Sequence, residues 1–268
     1  MVTVLPSRRT AASLLFSATL LTLAGCADDT PTDAGNTQPA TTFRRIAVAD
    51  NAAATLRIFE ATDFTPVQTI ATAAPVSYLY TTGSQRHAIY HVRTRNVVGM
   101  VDGGVFLENA RGVRRAVAAV GTFTDSLPTH GNVNGSMFTA FFDGSNQVAF
   151  WNESSLATGV TTPTVRIPNG GMHHGAAVAM PSANWLLTSA SNPAGGLPLG
   201  INVLTMNGAI VDSARTCPGL HGLAGNSNAV LFGCADGALM VQNSGGRPVF
   251  SKLAAAGNPT FGVGTVWG

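Results

Sequence analysis

Six histidines stand in a chain that is otherwise poor in ionisable groups. Imidazole is the side chain best suited to hold a transition metal or to move a proton near neutral pH. Four of the six fall into a pattern. His130-Gly131, His174-Gly175 and His221-Gly222 recur at similar intervals, and His173 sits beside His174. Each pair precedes by a few residues a strand-like run expected to be the first strand of its repeat, and a glycine there lets the backbone approach where a side chain would block it. Three imidazoles delivered from equivalent places in a repeated fold could reach about 2.0–2.1 Å from one Zn²⁺ and leave a fourth position open. Imidazole also suits copper and nickel, so the donors alone do not choose the metal. The candidate ligands are His130, His173, His174 and His221. The competing account is structural: each imidazole hydrogen-bonds a neighbouring repeat and holds its turn. His87 and His91 lie four apart on one strand-like run, hence on one face, and read as packed or surface groups.

Other chemistry finds little support. There is no G-x-S-x-G elbow, phosphate-binding loop or H-E-x-x-H pair. Acidic residues are single and spread, and Asp50, Asp102, Asp143 and Asp236 read as turn residues, which disfavours a paired-carboxylate hydrolase. An open three-histidine site can activate water, so a metalloenzyme is the third reading. The expectation is a protein that is not an enzyme.

The elements that must position these histidines are strands. From residue 43 onward short apolar runs alternate with Gly, Asp and Asn turns, and no helix is expected. Arg45–Ala49, His87–Val92, Met137–Phe142, Trp185–Ala190 and Ala229–Gly233 recur about every 42 to 50 residues. Asp143-Gly144 and Asp236-Gly237 supply hairpin turns into Gln147–Trp151 and Ala238–Val241. A period in the forties with three or four strands per unit marks a β-propeller blade, because a lone blade cannot bury both faces and a ring of them can. The expected fold is all-β, a propeller of about four-stranded blades over residues 43–268. Its ring is expected to be incomplete or truncated, since Gly264-Thr265-Val266-Trp267-Gly268 reads as the inner strand of a further blade. A β-sandwich would not give the forty-residue echo.

Composition narrows the setting. Only 10% of the 268 residues are charged, against about 25% in ordinary globular chains. Without Arg8 and Arg9 the remainder carries 13 basic and 13 acidic residues, so nothing suggests nucleic acid. Residues 1–25 have a basic start, a short apolar stretch and small residues, the layout of a signal peptide. The ending Leu23-Ala24-Gly25-Cys26 resembles the bacterial lipobox, in which the cysteine is acylated and becomes the mature N-terminus. Residues 26–42 then form a polar tether. Cys217 and Cys234 remain as an even pair in an oxidising compartment. They are either a bridge closing a loop of about 17 residues, worth about 3 kcal/mol on the chain-entropy model, or two buried thiols.

Several blocks resemble a known family. Cys217-Pro218-Gly219-Leu220-His221-Gly222 and Leu231-Phe232-Gly233-Cys234-Ala235-Asp236-Gly237 are similar to the cysteine-flanked signature of the AztD-type zinc metallochaperones. Met172-His173-His174-Gly175 resembles that family's HHG block, and Phe141-Phe142-Asp143-Gly144 and Val101-Asp102-Gly103-Gly104 resemble two of its turns. The resemblance spans roughly residues 43–245. It implies a secreted propeller that binds Zn²⁺ and passes it to the solute-binding protein of a zinc ABC importer. It also implies a Cys217–Cys234 disulfide and places His130, His174 and His221 at histidine-bearing positions. The chain departs from the family after the Val101–Gly104 turn, where Val105–Asn109, Arg111, Arg114 and Arg115 replace an acidic, histidine-containing loop. Together these readings describe a lipid-anchored zinc carrier or reservoir of the bacterial cell envelope, facing the periplasm or exterior. The alternative is a non-catalytic envelope interaction propeller with structural histidines.

Overall fold

The computed structural model describes residues 43–109, 111–170 and 174–255. The leader, Cys26, the tether, His173 and the expected strand at Gly264–Gly268 lie outside the described residues. Among those described, no helix is long and apolar enough to cross a membrane.

The fold is a β-propeller built from successive antiparallel sheets. The first contains β1 (Arg45–Asp50), β2 (Thr55–Glu60) and β3 (Pro66–Ala71). The second has β4 (Tyr78–Thr81), β5 (His87–Val92) and β6 (Val97–Asp102); a hairpin of β7 (Val105–Glu108) and β8 (Arg111–Arg114) then intervenes before β9 (Ala118–Thr124) completes the sheet. The third is β10 (Pro128–Asn134), β11 (Met137–Phe142), β12 (Gln147–Asn152) and β13 (Val165–Pro168). The fourth is β14 (Ala177–Met180), β15 (Trp185–Ala190), β16 (Gly200–Thr205) and β17 (Ile210–Ala214). The fifth is β18 (Leu223–Gly225), β19 (Ala229–Cys234), β20 (Gly237–Ser244) and β21 (Arg247–Ala254). The strands β4, β14 and β18 all neighbour β10 and so line one axis.

Each core cluster is an interface between two consecutive blades. Leu56 and Ile58 meet Tyr90 and Val92; Ile89 and Met100 meet Phe138 and Trp151. Phe141 and Phe150 meet Ala179 and Leu186, and Leu187 and Val203 meet Phe232 and Val241. Side chains of a strand alternate between its two faces. In β5, Ala88, Tyr90 and Val92 therefore pack on the first blade while His87, Ile89 and His91 face the third. The second strands β5, β11 and β15 are buried on both faces, which is why they read as largely apolar runs. Each fully buried Phe contributes about 1.5–3 kcal/mol.

Two expectations are corrected. The recurring apolar runs are not the first strands of their blades: in the second to fifth blades each is the second strand, behind β4, β10, β14 and β18. The inner strands escape notice because β4 and β18 are only four and three residues long, and β10 is rich in polar residues and interrupted by a bulge. The expected absence of helix also fails locally, at the single-turn α1 (Glu153–Ala157), where the Asn152 side chain accepts from the Ser154 amide.

Candidate metal centre

His130 lies within β10, where pairing with β11 slips between Pro128 and Gly131. Such a bulge turns a side chain away from the regular pleat. The second blade braces this segment. The Tyr80 hydroxyl donates to the Thr129 carbonyl at 3.2 Å, and His91 Nδ1 lies 3.1 Å from the same oxygen. Burial raises the Tyr80 phenol to about 12 and lowers His91 to about 4, so both stay neutral donors near neutral pH. The Tyr80 ring also covers Gly131, where an added Cβ would come within 2.6 Å of it. That contact gives the glycine after His130 its physical reason.

His174 precedes β14, and its Nδ1 lies 2.9 Å from Asp143 Oδ2. Asp143 belongs to the turn after β11, its amide donating to the Leu127 carbonyl at 3.1 Å. His221 precedes β18. Its amide donates to the Gly233 carbonyl at 3.0 Å, and Gly233 in turn donates to Gly222, which has φ 78°. Cys217 and Cys234 form a disulfide with a Cα–Cα distance of 4.9 Å. It ties the segment entering β18 to the end of β19 four residues upstream of His221, so that segment is held at both ends.

These three histidines, from three successive blades, converge. One ring nitrogen from each lies within 4.8 Å of the others, and ring centroids are 4.6 to 5.3 Å apart. His130 Nε2 and His174 Nε2 are 2.8 Å apart. Tetrahedral Zn²⁺ with Zn–N of about 2.0–2.1 Å would set its ligand nitrogens roughly 3.3 Å apart. Small ring movements therefore separate the described arrangement from a bound one. All three rings are partly exposed, and His174 keeps 35% of its side chain open to solvent.

The electrostatics suit a cation-binding site. Burial first, then the charges of His174 and His221, drive His130 down to about 4. It is neutral near pH 7, the state a ligand must have. Burial works to raise the Asp143 carboxyl, but hydrogen bonds from His174 and Thr129 and the charges of His174 and Arg93 outweigh it and hold Asp143 ionised below its usual range. When His174 is neutral, donation from Nδ1 to that carboxylate leaves its lone pair on Nε2, facing His130. A carboxylate–histidine pair of this kind orients a metal ligand and raises its basicity.

Of the expected site residues, the structure brings His130, His174 and His221 together, while His173 lies outside the described residues. His87 and His91 stand apart from the group. Sequence reasoning missed Asp143, taken as a turn residue only, and missed Arg93, whose Nη2 lies 3.0 Å from Asp143 Oδ2. Asp143 sits in a Phe-Phe-Asp-Gly turn, which hid its second role. For Arg93 no sequence signal existed.

Comparison with known proteins bears on this geometry. No family model matches the chain. Over 138 residues, half of this chain, it is 31% identical to the zinc chaperone AztD of Citrobacter koseri. The chain is similar to AztD in sequence and in fold. The solved structure of apo AztD from Citrobacter koseri superposes with a TM-score of 0.75 at 25% identity, covering 84% of this chain and 62% of that one. A second AztD crystal structure from that organism gives a TM-score of 0.75 at 24% identity. The chain thus spans less than two thirds of the AztD chain, and the aligned part is 31% of the curated relative. Saccharomyces cerevisiae Sqt1, at 10% identity and a TM-score of 0.53, covering 78% of this chain and 60% of its own, shares the fold alone.

Proposed function

We propose that this protein is an exported metal carrier. It binds Zn²⁺ through His130, His174 and His221, with His173 as a further candidate ligand, and acts in zinc acquisition as a chaperone or reservoir. The observation that carries this reading is the convergence of three imidazoles from three blades, one of them oriented by Asp143. The similarity to a zinc chaperone supports zinc over copper and nickel. Asp143 Oδ2 is already engaged by His174 and Arg93. That favours an orienting role over that of a free general base, and so a carrier over an enzyme. The partner we propose is the solute-binding protein of a zinc importer, a soluble acceptor that a partly exposed site can meet.

The setting we propose is the bacterial cell envelope, on the side of the periplasm or exterior. The Leu23-Ala24-Gly25-Cys26 ending supports acylation of Cys26 and a lipid anchor, and two or more acyl chains give stable attachment. The disulfide fits an oxidising compartment.

The test is metal analysis of untagged protein after zinc loading and desalting. Retention of one zinc per chain, and its passage to a zinc-free solute-binding protein, is the expected result. Failure to retain zinc overturns the reading in favour of a scaffold with structural histidines. Retention without passage to the acceptor would leave a reservoir.

A further inference from the structure

We propose that Arg93 limits how tightly the site holds its ion: its guanidinium, seated on the Asp143 carboxylate, weakens metal binding so that the cargo can be surrendered. This rests on the proposed role of the three histidines in holding zinc.

Arg93 opens a 3₁₀ turn between β5 and β6, Arg93–Arg95. Its backbone amide donates to Ser77 Oγ at 3.1 Å, and its Nη1 donates to the Leu127 carbonyl at 3.1 Å, just ahead of β10. The side chain is thereby aimed at the turn that carries Asp143. Its Nη2 meets Asp143 Oδ2 at 3.0 Å, and His174 Nδ1 meets the same oxygen at 2.9 Å. Arginine and histidine therefore share one acceptor atom.

That sharing has a chemical consequence. A carboxylate that accepts from Nδ1 pushes electron density toward Nε2 and strengthens it as a ligand. A guanidinium on the same oxygen draws that density away. It also sets a permanent positive charge beside the place where a divalent cation would sit, in surroundings drier than bulk water, where like charges repel more strongly. The fields at His130 run the same way: Asp143 favours added positive charge there and Arg93 opposes it. An arginine cannot shed its proton to relieve the repulsion. A site built only for retention has no use for such a neighbour, whereas a carrier needs one that keeps the ion exchangeable.

The test compares wild type with Arg93→Met, Arg93→Gln and Arg93→Lys, all untagged. Zinc affinity is read by competition with a chromophoric chelator, and zinc loss by a chelator chase. Both neutral variants are expected to bind zinc about tenfold more tightly, the scale on which outer-shell partners act, chiefly through slower loss. Arg93→Lys keeps the charge and is expected to stay near wild type. Should Arg93→Met fail to give a cooperative melt, Arg93→Gln carries the comparison. Neutral variants that bind zinc no more tightly than wild type overturn the proposal, as does a lysine variant that tightens like methionine. A wild type that binds no zinc overturns the proposed function instead, so the two failures are distinguishable.

Discussion

His87 and His91 share one strand, whereas His130, His174 and His221 come from three blades. In sequence the first pair shares one face of a strand and reads as packed or surface groups. The structure buries both rings. His87 Nδ1 lies 3.2 Å from Glu153 Oε1 and His91 Nδ1 lies 3.1 Å from the Thr129 carbonyl, each serving the join between the second and third blades. Their Nε2 atoms are buried without partners. The channel histidines keep some exposure and point their nitrogens at one another. Convergence and access, rather than closeness along the chain, make a set of imidazoles able to take a metal.

The sharpest way to break this contrast is substitution. His174→Ala should cost zinc affinity at least about a hundredfold, the upper range already seen for outer-shell losses, in a chelator competition. His87→Gln should leave the zinc stoichiometry of wild type. A His87 variant that lost its zinc, beside a His174 variant that kept it, would invert the assignment.

Next in size is reduction of Cys217–Cys234. It should lower stability by about 3 kcal/mol on the chain-entropy model, seen as a lower melting temperature in reductant. Because the bridge holds the segment that carries His221, zinc affinity should fall as well. An unchanged melting temperature would show that this segment is held without the bridge.

The smallest effect is on pH dependence in the metal-free protein. His91 and His130 are both lowered to about 4 in the fold, chiefly by burial, against about 6.5 in an unfolded chain. Between those values the unfolded state binds more protons, so stability rises with pH there. The contribution of these two residues is complete above about pH 6.5 and is lost as pH falls toward 4. Melting temperatures measured from pH 7 to pH 4.5 should therefore decline, and His91→Phe should flatten the curve. A profile that stayed level in wild type would mean that neither ring is desolvated.

Much of the fold was legible because second strands such as Met137–Phe142 and Trp185–Ala190 are buried on both faces and leave largely apolar runs at a regular interval. The inner strands were not legible. Pro128–Asn134 carries a bulge, a glycine under Tyr80 and polar residues at both buried and partly exposed positions, and so has no period of its own. The histidine–glycine pairs pointed to the candidate site, yet Asp143 and Arg93 could not be found that way. Their roles depend on contacts of His174 with the preceding blade and of Asp143 with the one before that.

The sequence by itself determined the repeating all-β architecture and which histidines recur from blade to blade, because burial pattern and turn chemistry are local properties of the chain. Only the tertiary structure decided that three of those rings face one another while His87 and His91 do not. Closing blades around an axis brings together residues far apart in the chain, and no local pattern encodes which nitrogen then faces which.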